Sequence, residues 1–441
     1  MKPLVLAPLD ARWIPILEAA AECTLTDRRL AALVERLSRK YLGEQQTIAA
    51  QDELAARVLF FFARDLHKVV APVAELVRAG GIRNQPLKLL DIGAGVGAST
   101  IGVILALQAL KGDDTLTGTA GKPIERQLAQ IAWVDTDTRA LQRGLAMFRS
   151  AKALGLIPAE TPEPELHVAK PGRWAEGFAR TEGGWDLIVA SNVLTEVLRA
   201  EESINAPSAR PPRATSTEST AASDPAAPMI ALSDPQLVRA QRTTELIGQL
   251  LARAALATHG SLLVIEPAMQ RDSRVLQHTR GLVSSVGLSV FAPCVHSKSC
   301  PLLVRERDWC HDDLELDLPE WLVAVAQGAG LRYQGLTYAY LTLRKDSLNV
   351  RSMFESTAAL IPARWVSHPR VSKGKVEIFV CAGPTLQRAQ QLDRVVKART
   401  TDHGSDAVLA DSTRGQLVQL RAQDWTEQSP TLKLDLENWR A

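Results

Sequence analysis

The sequence has little cysteine, no long apolar run and almost no excess charge of either sign. Five cysteines in 441 residues are too few for a disulfide scaffold. No apolar stretch reaches the roughly 18 residues that a membrane-spanning helix needs. The opening segment MKPLVLAPLDARW meets Asp10 and Arg12 before a signal-type apolar core is complete. With 51 Lys and Arg against 49 Asp and Glu, the formal charge is only +2. That excludes the global footprint of a nucleic-acid-coating or membrane-hugging protein and leaves only a local basic surface open. No internal repeat is present. What is there, 46% apolar and 23% charged residues, is ordinary globular composition with enough chain for about two or three domains. The expectation is a cytoplasmic protein with no membrane partner, its oligomeric state open with a monomer favoured.

Residues 1–80 read as a helical N-terminal segment: Leu30, Leu33, Val34, Leu37 and Tyr41 repeat at helical spacing, and Ala55 to Leu76 continues with apolar residues between scattered charges. From 81 to 384 short apolar runs (LKLLDIG, QIAWVD, WDLIVASN, SLLVIEP) alternate with helix-like stretches, the signature of an α/β protein with a mostly parallel, doubly wound sheet. An Ala/Ser/Thr/Pro tract at 200–233 holds almost no core-forming residues and reads as a disordered insertion. YQGLTYAYLTLRK and KVEIFVCAG suit late strands, an antiparallel pair at the sheet edge. Residues 385–441 form a polar C-terminal extension.

In LKLLDIGAGVGAST an apolar strand runs into Gly93, Gly95 and Gly97. Glycine suits a chain that must turn sharply at a strand end and let a ligand approach the backbone. Gly93, Gly95 and Ala98 also satisfy the loose dinucleotide fingerprint. Three features favour S-adenosylmethionine instead. Asp91 stands two positions before the first glycine, where a pyrophosphate would gain nothing from its charge. Asp135 ends the next strand, where a carboxylate can accept from both ribose hydroxyls; the competing reading is a helix N-cap, a role that suits Asp137 better. Asn192, with Ser191, ends the strand WDLIVAS at the lip of the crevice, and Glu196 follows, although polar residues at a strand end often only satisfy backbone. No catalytic base is evident. A sulfonium donor is already activated, so positioning alone can carry much of a methyl transfer.

The cysteines are unevenly spread. Cys294, Cys300 and Cys310 follow C-x5-C-x9-C in a Cys-rich loop at 292–312, and Cys381 comes 71 positions later in a strand-like segment. Four thiolates suit a tetrahedral zinc ion or an iron–sulfur cluster, and the wide spacing and the proline after Cys300 suit the larger cubane better. His296 and His311 are each able to replace a thiolate. Cys23 reads as packing. Around the last cysteine, residues 351–400 carry nine Lys or Arg against three acids, a local +6 that suits a polyanion.

Taken in order, LLDIGAGVGAS, WDLIVASNVLTEV, GSLLVIEPAMQRDSRVLQHTR, APCVHSKSCPL, DWCH and ARWVSHPRVSKGKVEIFVCAG resemble the blocks of the bacterial and mitochondrial small-ribosomal-subunit methyltransferase-like family, from about Leu87 to Gly383. The resemblance implies a class I S-adenosylmethionine-dependent methyltransferase fold, association with the small ribosomal subunit during assembly, and a four-cysteine 4Fe-4S cluster. Its ligands would be Cys294, Cys300, Cys310 and Cys381, and its cofactor turn Asp91, Gly93, Gly95 and Gly97. The expected rRNA-facing surface is the basic stretch around Arg364, Arg370, Lys373 and Lys375. Two other functions stay open: a catalytically silent iron–sulfur assembly factor, and a small-molecule methyltransferase.

Overall fold

The computed structural model describes residues 1–82, 86–112, 127–169, 181–205, 234–354, 360–392, 409–421, 431–433 and 439–440. The N-terminal segment folds as α1 (Ile14–Ala21), α2 (Leu30–Tyr41), α3 (Ala50–Ala56), α4 (Phe62–Asp65) and α5 (Val70–Arg78). Between α3 and α4 the helix widens into a π turn at Arg57–Phe61, an irregularity that often marks functional positions. Leu30, Leu33, Val34 and Leu37 of α2 are buried, as their three- and four-residue spacing dictates.

The main sheet contains β1 (Leu87–Ile92), β2 (Leu128–Asp135), β3 (Glu165–Val168), β4 (Trp185–Ser191), β5 (Leu256–Glu266), β6 (Ser289–Ala292), β7 (Asp312–Asp317) and β8 (Gln334–Arg344). Its order is β3-β2-β1-β4-β5-β8-β6, with β7 added on β8. The first five strands are parallel, and β8 runs antiparallel to both β5 and β6. Five parallel strands closed by one reversed strand inserted before the last make the class I methyltransferase fold. Helices α6 (Ala98–Ala109), α7 (Thr138–Ala153), α8 (Val193–Asn205), α9 (Pro235–Arg253) and α10 (Gln270–Leu282) make the crossovers, and α11 (Glu320–Gly328) joins β7 to β8. Apolar cores lie on both faces of the sheet.

A second sheet follows: β9 (Leu360–Trp365), β10 (Arg370–Ser372), β11 (Lys375–Cys381), β12 (Gln387–Leu392), β13 (Leu417–Arg421), β14 (Thr431–Lys433) and β15 (Trp439–Arg440), in the order β14-β12-β11-β9-β13-β15 with β10 on β11. Val376, Ile378 and Val380 alternate into its core beside Trp365 and Val418, the period of two expected of a half-buried strand. The edge pairing expected for YQGLTYAYLTLRK and KVEIFVCAG therefore does not form. The first is β8, inside the main sheet; the second is β11, flanked by β9 and β12. This second sheet begins at Leu360, so it spans the boundary expected at 384/385. Ala200 to Asn205 continue α8 as helix, which moves the start of the expected insertion; 206–233 lie outside the described residues. Among the described residues no helix is long and apolar enough to cross a membrane.

Candidate functional site: a glycine turn and a four-cysteine cavity

The strand order reverses between β1 and β4, so a crevice opens at their carboxyl ends, the usual ligand position in such sheets. Gly93, Gly95 and Gly97 all take left-handed backbone, φ 66°, 53° and 82°, which side chains disfavour. Their surroundings differ. A Cβ on Gly97 would lie 2.4 Å from the Trp133 ring, and one on Gly93 2.1 Å from Val193 Cγ2; at Gly95 it would meet only Asp135 Oδ2, at 4.0 Å. Two glycines thus admit packing neighbours, and Gly95 leaves backbone open to a ligand.

Asp91 is buried at the end of β1. Its Oδ2 accepts from Thr100 N (3.1 Å) and Oγ1 (2.8 Å), and Trp133 Nε1 donates to the same hydroxyl at 2.8 Å. Burial pushes the Asp91 carboxyl up to about 7, against the pull of those Thr100 bonds, and Oδ1 is enclosed without a partner. Asp135 accepts from Gly95 N through Oδ2 (2.8 Å) and from Asp137 N through Oδ1 (2.8 Å). It therefore braces the glycine turn, while Asp137 caps α7 through Arg139 N and Ala140 N. Asn192 sits at φ 60°, its N–H donating to Ile265 O at 2.7 Å and its Oδ1 enclosed without a partner. Sequence reasoning missed Glu266. Buried at the end of β5, it accepts from Leu194 N (3.1 Å) and Thr195 N (3.3 Å) at the start of α8, and burial pushes it up to about 8.

The second locus joins the two sheets. Cys294, Cys300, Cys310 and Cys381 line one cavity of about 50 Å³, enclosed by α10, the Cys loop, β8, β9 and β11. Burial pushes the thiols of Cys294, Cys310 and Cys381 up, and neighbouring cysteines add to the shift in each. Among the described residues no group of three or more His, Cys, Asp or Glu side chains is arranged to hold a metal ion. Donors reach the sulfurs: Arg280 Nε to Cys294 Sγ at 2.9 Å and Gln277 Nε2 to Cys300 Sγ at 3.1 Å, with His296 Nε2 3.3 Å from Cys381 Sγ. Arg274 clamps the loop through the carbonyls of Arg305 (3.0 Å) and Asp308 (2.8 Å). Arg274, Gln277 and Arg280 recur every third residue along α10, a helix-face spacing legible in RVLQHTR. His311 stacks on Trp309 with its Nδ1 beside Arg414. Cys23 lies in the N-terminal segment, donating to Asp27.

Residues 230–411 match the family model described as mitochondrial small ribosomal subunit Rsm22. The chain resembles the Rsm22 family. The matched range contains all four cavity cysteines and the basic stretch, and leaves the glycine turn outside it. Among curated proteins none matches. Solved structures similar to this chain include magnesium protoporphyrin IX methyltransferase from Synechocystis PCC 6803 with bound S-adenosylmethionine (14% identity, 78% of this chain and 100% of that one, TM-score 0.31). A putative RNA methyltransferase from Pyrococcus horikoshii (8%, 77% and 98%, 0.30) and a ribosomal protein L11 methylase from Lactobacillus delbrueckii subsp. bulgaricus (14%, 64% and 80%, 0.27) are others.

The basic stretch divides in two. Arg370 and Lys373 are exposed on the β10–β11 hairpin, with no ion pair to a described residue. Lys375 pairs with Glu377 at 3.0 Å. Arg364, expected on the same surface, is buried: it pairs with Glu75 Oε1 of α5 at 2.8 Å and donates to Gly415 O at 2.7 Å. It stands opposite Cys381 across the β9–β11 ladder and lines the cysteine cavity. Its Nε and Nη2 are enclosed with no hydrogen-bond partner. Alternation along β9 turns this side chain inward, a fact the charge count does not carry.

Proposed function

We propose that this is a cytoplasmic, S-adenosylmethionine-binding, methyltransferase-like protein that docks on the small ribosomal subunit, with a 4Fe-4S cluster held by Cys294, Cys300, Cys310 and Cys381. One observation carries the reading: a single cavity lined by four cysteines joins a methyltransferase sheet to a second sheet that presents a basic hairpin. Similarity to a family described as a small-ribosomal-subunit component supports the partner, and that description is mitochondrial.

Each group has candidate residues. At the glycine turn, open space at Gly95 and the partnerless Asp91 Oδ1 suit a ligand bearing donors; Asp91, Gly93, Gly95, Gly97, Asp135 and Asn192 would hold it. S-adenosylmethionine supplies an electrophilic methyl group; the chain's own contribution is to position it and to exclude water. In the cavity, the partnerless Arg364 nitrogens, with Arg280 and Gln277, suit an anionic centre with sulfur acceptors. The wide C-x5-C-x9-C spacing and the proline after Cys300 are what favour a cubane over zinc. The cluster would then be structural, fixing the basic hairpin on β10 and β11 to the core.

A second reading, a catalytically silent assembly factor, is favoured by the family match, which covers residues 230–411 and leaves the glycine turn outside it. Calorimetric titration with S-adenosylhomocysteine, followed by mapping of methylated nucleotides in a deletion strain, separates the two. Binding together with a missing methyl mark supports the enzyme, and binding without one supports the silent factor. No binding overturns the cofactor assignment. Iron analysis of anaerobically purified protein tests the cluster: about four irons per chain are expected, and zinc overturns it.

A further inference from the structure

A cleft of about 320 Å³ opens beside the glycine turn, between the N-terminal helices and the ends of β4 and β5. It is lined by Asn192 and Glu196, which we call its floor, and by Tyr41, Phe61 and Arg64. It abuts the cofactor turn, because Val193, next to Asn192, covers Gly93. Arg57 of the π turn lies where it feels the charges of both Asp135 and Glu196. Asn192 immediately precedes α8 and Glu196 lies in its first turn, and both line the cleft.

Two features point to a ligand. Glu196 is exposed at the cleft, and its carboxyl makes no hydrogen bond or ion pair to a described residue. Asn192 holds a left-handed backbone with a partnerless carbonyl oxygen, a polar arrangement that native structures rarely leave unused. A carboxylate and an amide carbonyl together ask for a ligand edge rich in N–H donors. The aromatic wall of Phe61 and Tyr41 suits a planar ring. Arg64, with no ion pair to a described residue, suits a phosphate at the rim.

We infer that this cleft receives a single nucleotide whose base carries an amino group, read by Glu196 and Asn192, with its phosphate toward Arg64. This deepens the methyltransferase-like reading and rests on it: the cleft is where the base of an RNA acceptor would lie next to the cofactor.

The test uses the full chain saturated with S-adenosylhomocysteine, titrated with cytidine, adenosine and uridine 5′-monophosphates and followed by ligand-observed NMR. The two amino-bearing nucleotides are expected to bind more tightly than uridine monophosphate. Glu196→Gln is expected to weaken them about tenfold, the effect of losing a well-made polar contact, with S-adenosylhomocysteine affinity and thermal midpoint retained; Asn192→Gly, at a residue also assigned to the cofactor, is expected to weaken them as much once S-adenosylhomocysteine is saturating. Glycine accepts the left-handed backbone, so Asn192→Gly keeps the fold. Arg64→Ala is expected to weaken the monophosphates but not the corresponding nucleosides. Equal binding of all three nucleotides, or binding that both floor variants leave unchanged, overturns the assignment. Failure of S-adenosylhomocysteine to bind overturns instead the reading beneath it.

Discussion

Arg364 offers the sharpest contrast between charge counted along the chain and charge placed by the fold. Its guanidinium is buried with the Glu75 carboxylate at 2.8 Å, and Tyr340 donates its hydroxyl to the other Glu75 oxygen at 2.8 Å. Asp312 lies close enough to feel the same charges, its carboxyl pushed up to about 6 by burial despite the counteracting pull of Arg364. Arg364→Met keeps much of the stem's packing and removes the cation, leaving Glu75 buried and uncompensated. Breaking such a pair from one side costs about 3–5 kcal/mol. Neutralising Glu75 as well, in Glu75→Gln/Arg364→Met, is expected to cost less than the two single losses together by about 1–3 kcal/mol, because the groups touch. Urea unfolding followed by tryptophan fluorescence reads the stability, and the salt dependence of small-subunit rRNA binding, with the folded fraction held constant, reads the surface. The expected result is a large loss of stability with an unchanged salt slope. A stability change within about 0.5 kcal/mol, accompanied by a slope lowered by about one, would place Arg364 on the RNA face and refute the reasoning.

Arg370→Ala and Lys373→Ala, on the exposed hairpin, are expected to do the opposite: each lowers the salt slope of RNA binding by about one and leaves the urea midpoint unchanged. Gly97→Ala should destabilise more than Gly95→Ala. Both force a side chain into φ > 0, at roughly 1–2 kcal/mol, but only Gly97 also meets the Trp133 ring, at 2.4 Å; denaturation midpoints of the two variants decide it. Asp91 and Glu266 have folded pKa values raised by burial to about 7 and about 8. Their contribution is therefore fully present below the unfolded values near 4 and is lost as pH rises through 7 to 8. Urea midpoints from pH 5.5 to 8.5 should fall more steeply for the native chain than for Asp91→Asn/Glu266→Gln; parallel profiles would show that the two carboxyls are not buried as described.

What was legible in the sequence follows from local rules. Strands β1, β2, β4 and β5 announce themselves as apolar runs with Asp, Ser or Glu at or next to their ends, and three glycines at alternate positions permit the turn in which φ is positive at each. The four cysteines stand out by spacing alone. What was not legible depends on partners distant in the chain. Arg364 reads as one of nine basic residues until α5 brings Glu75 against it. That Asp135 also braces the glycine turn, through Gly95 N, shows only once the turn folds back onto it. The polar segment after Pro384 reads as an extension, because β12 is held by pairing with β11 and by burial of Gln387 and Ala389, which short apolar runs do not signal. Gln277 and Arg280 were visible as a helix-face repeat, but their role required the Cys loop to fold over α10.

The account stands most directly on whether the four-cysteine centre fixes the basic hairpin for docking. Small ribosomal subunits should be sedimented at increasing salt with anaerobically purified protein and with the same protein after treatment with a chelator that would strip the proposed cluster. Holo protein is expected to co-sediment at low salt and dissociate steeply as salt rises, with the stripped protein remaining in the supernatant throughout. Equal co-sedimentation of the two forms would contradict the account.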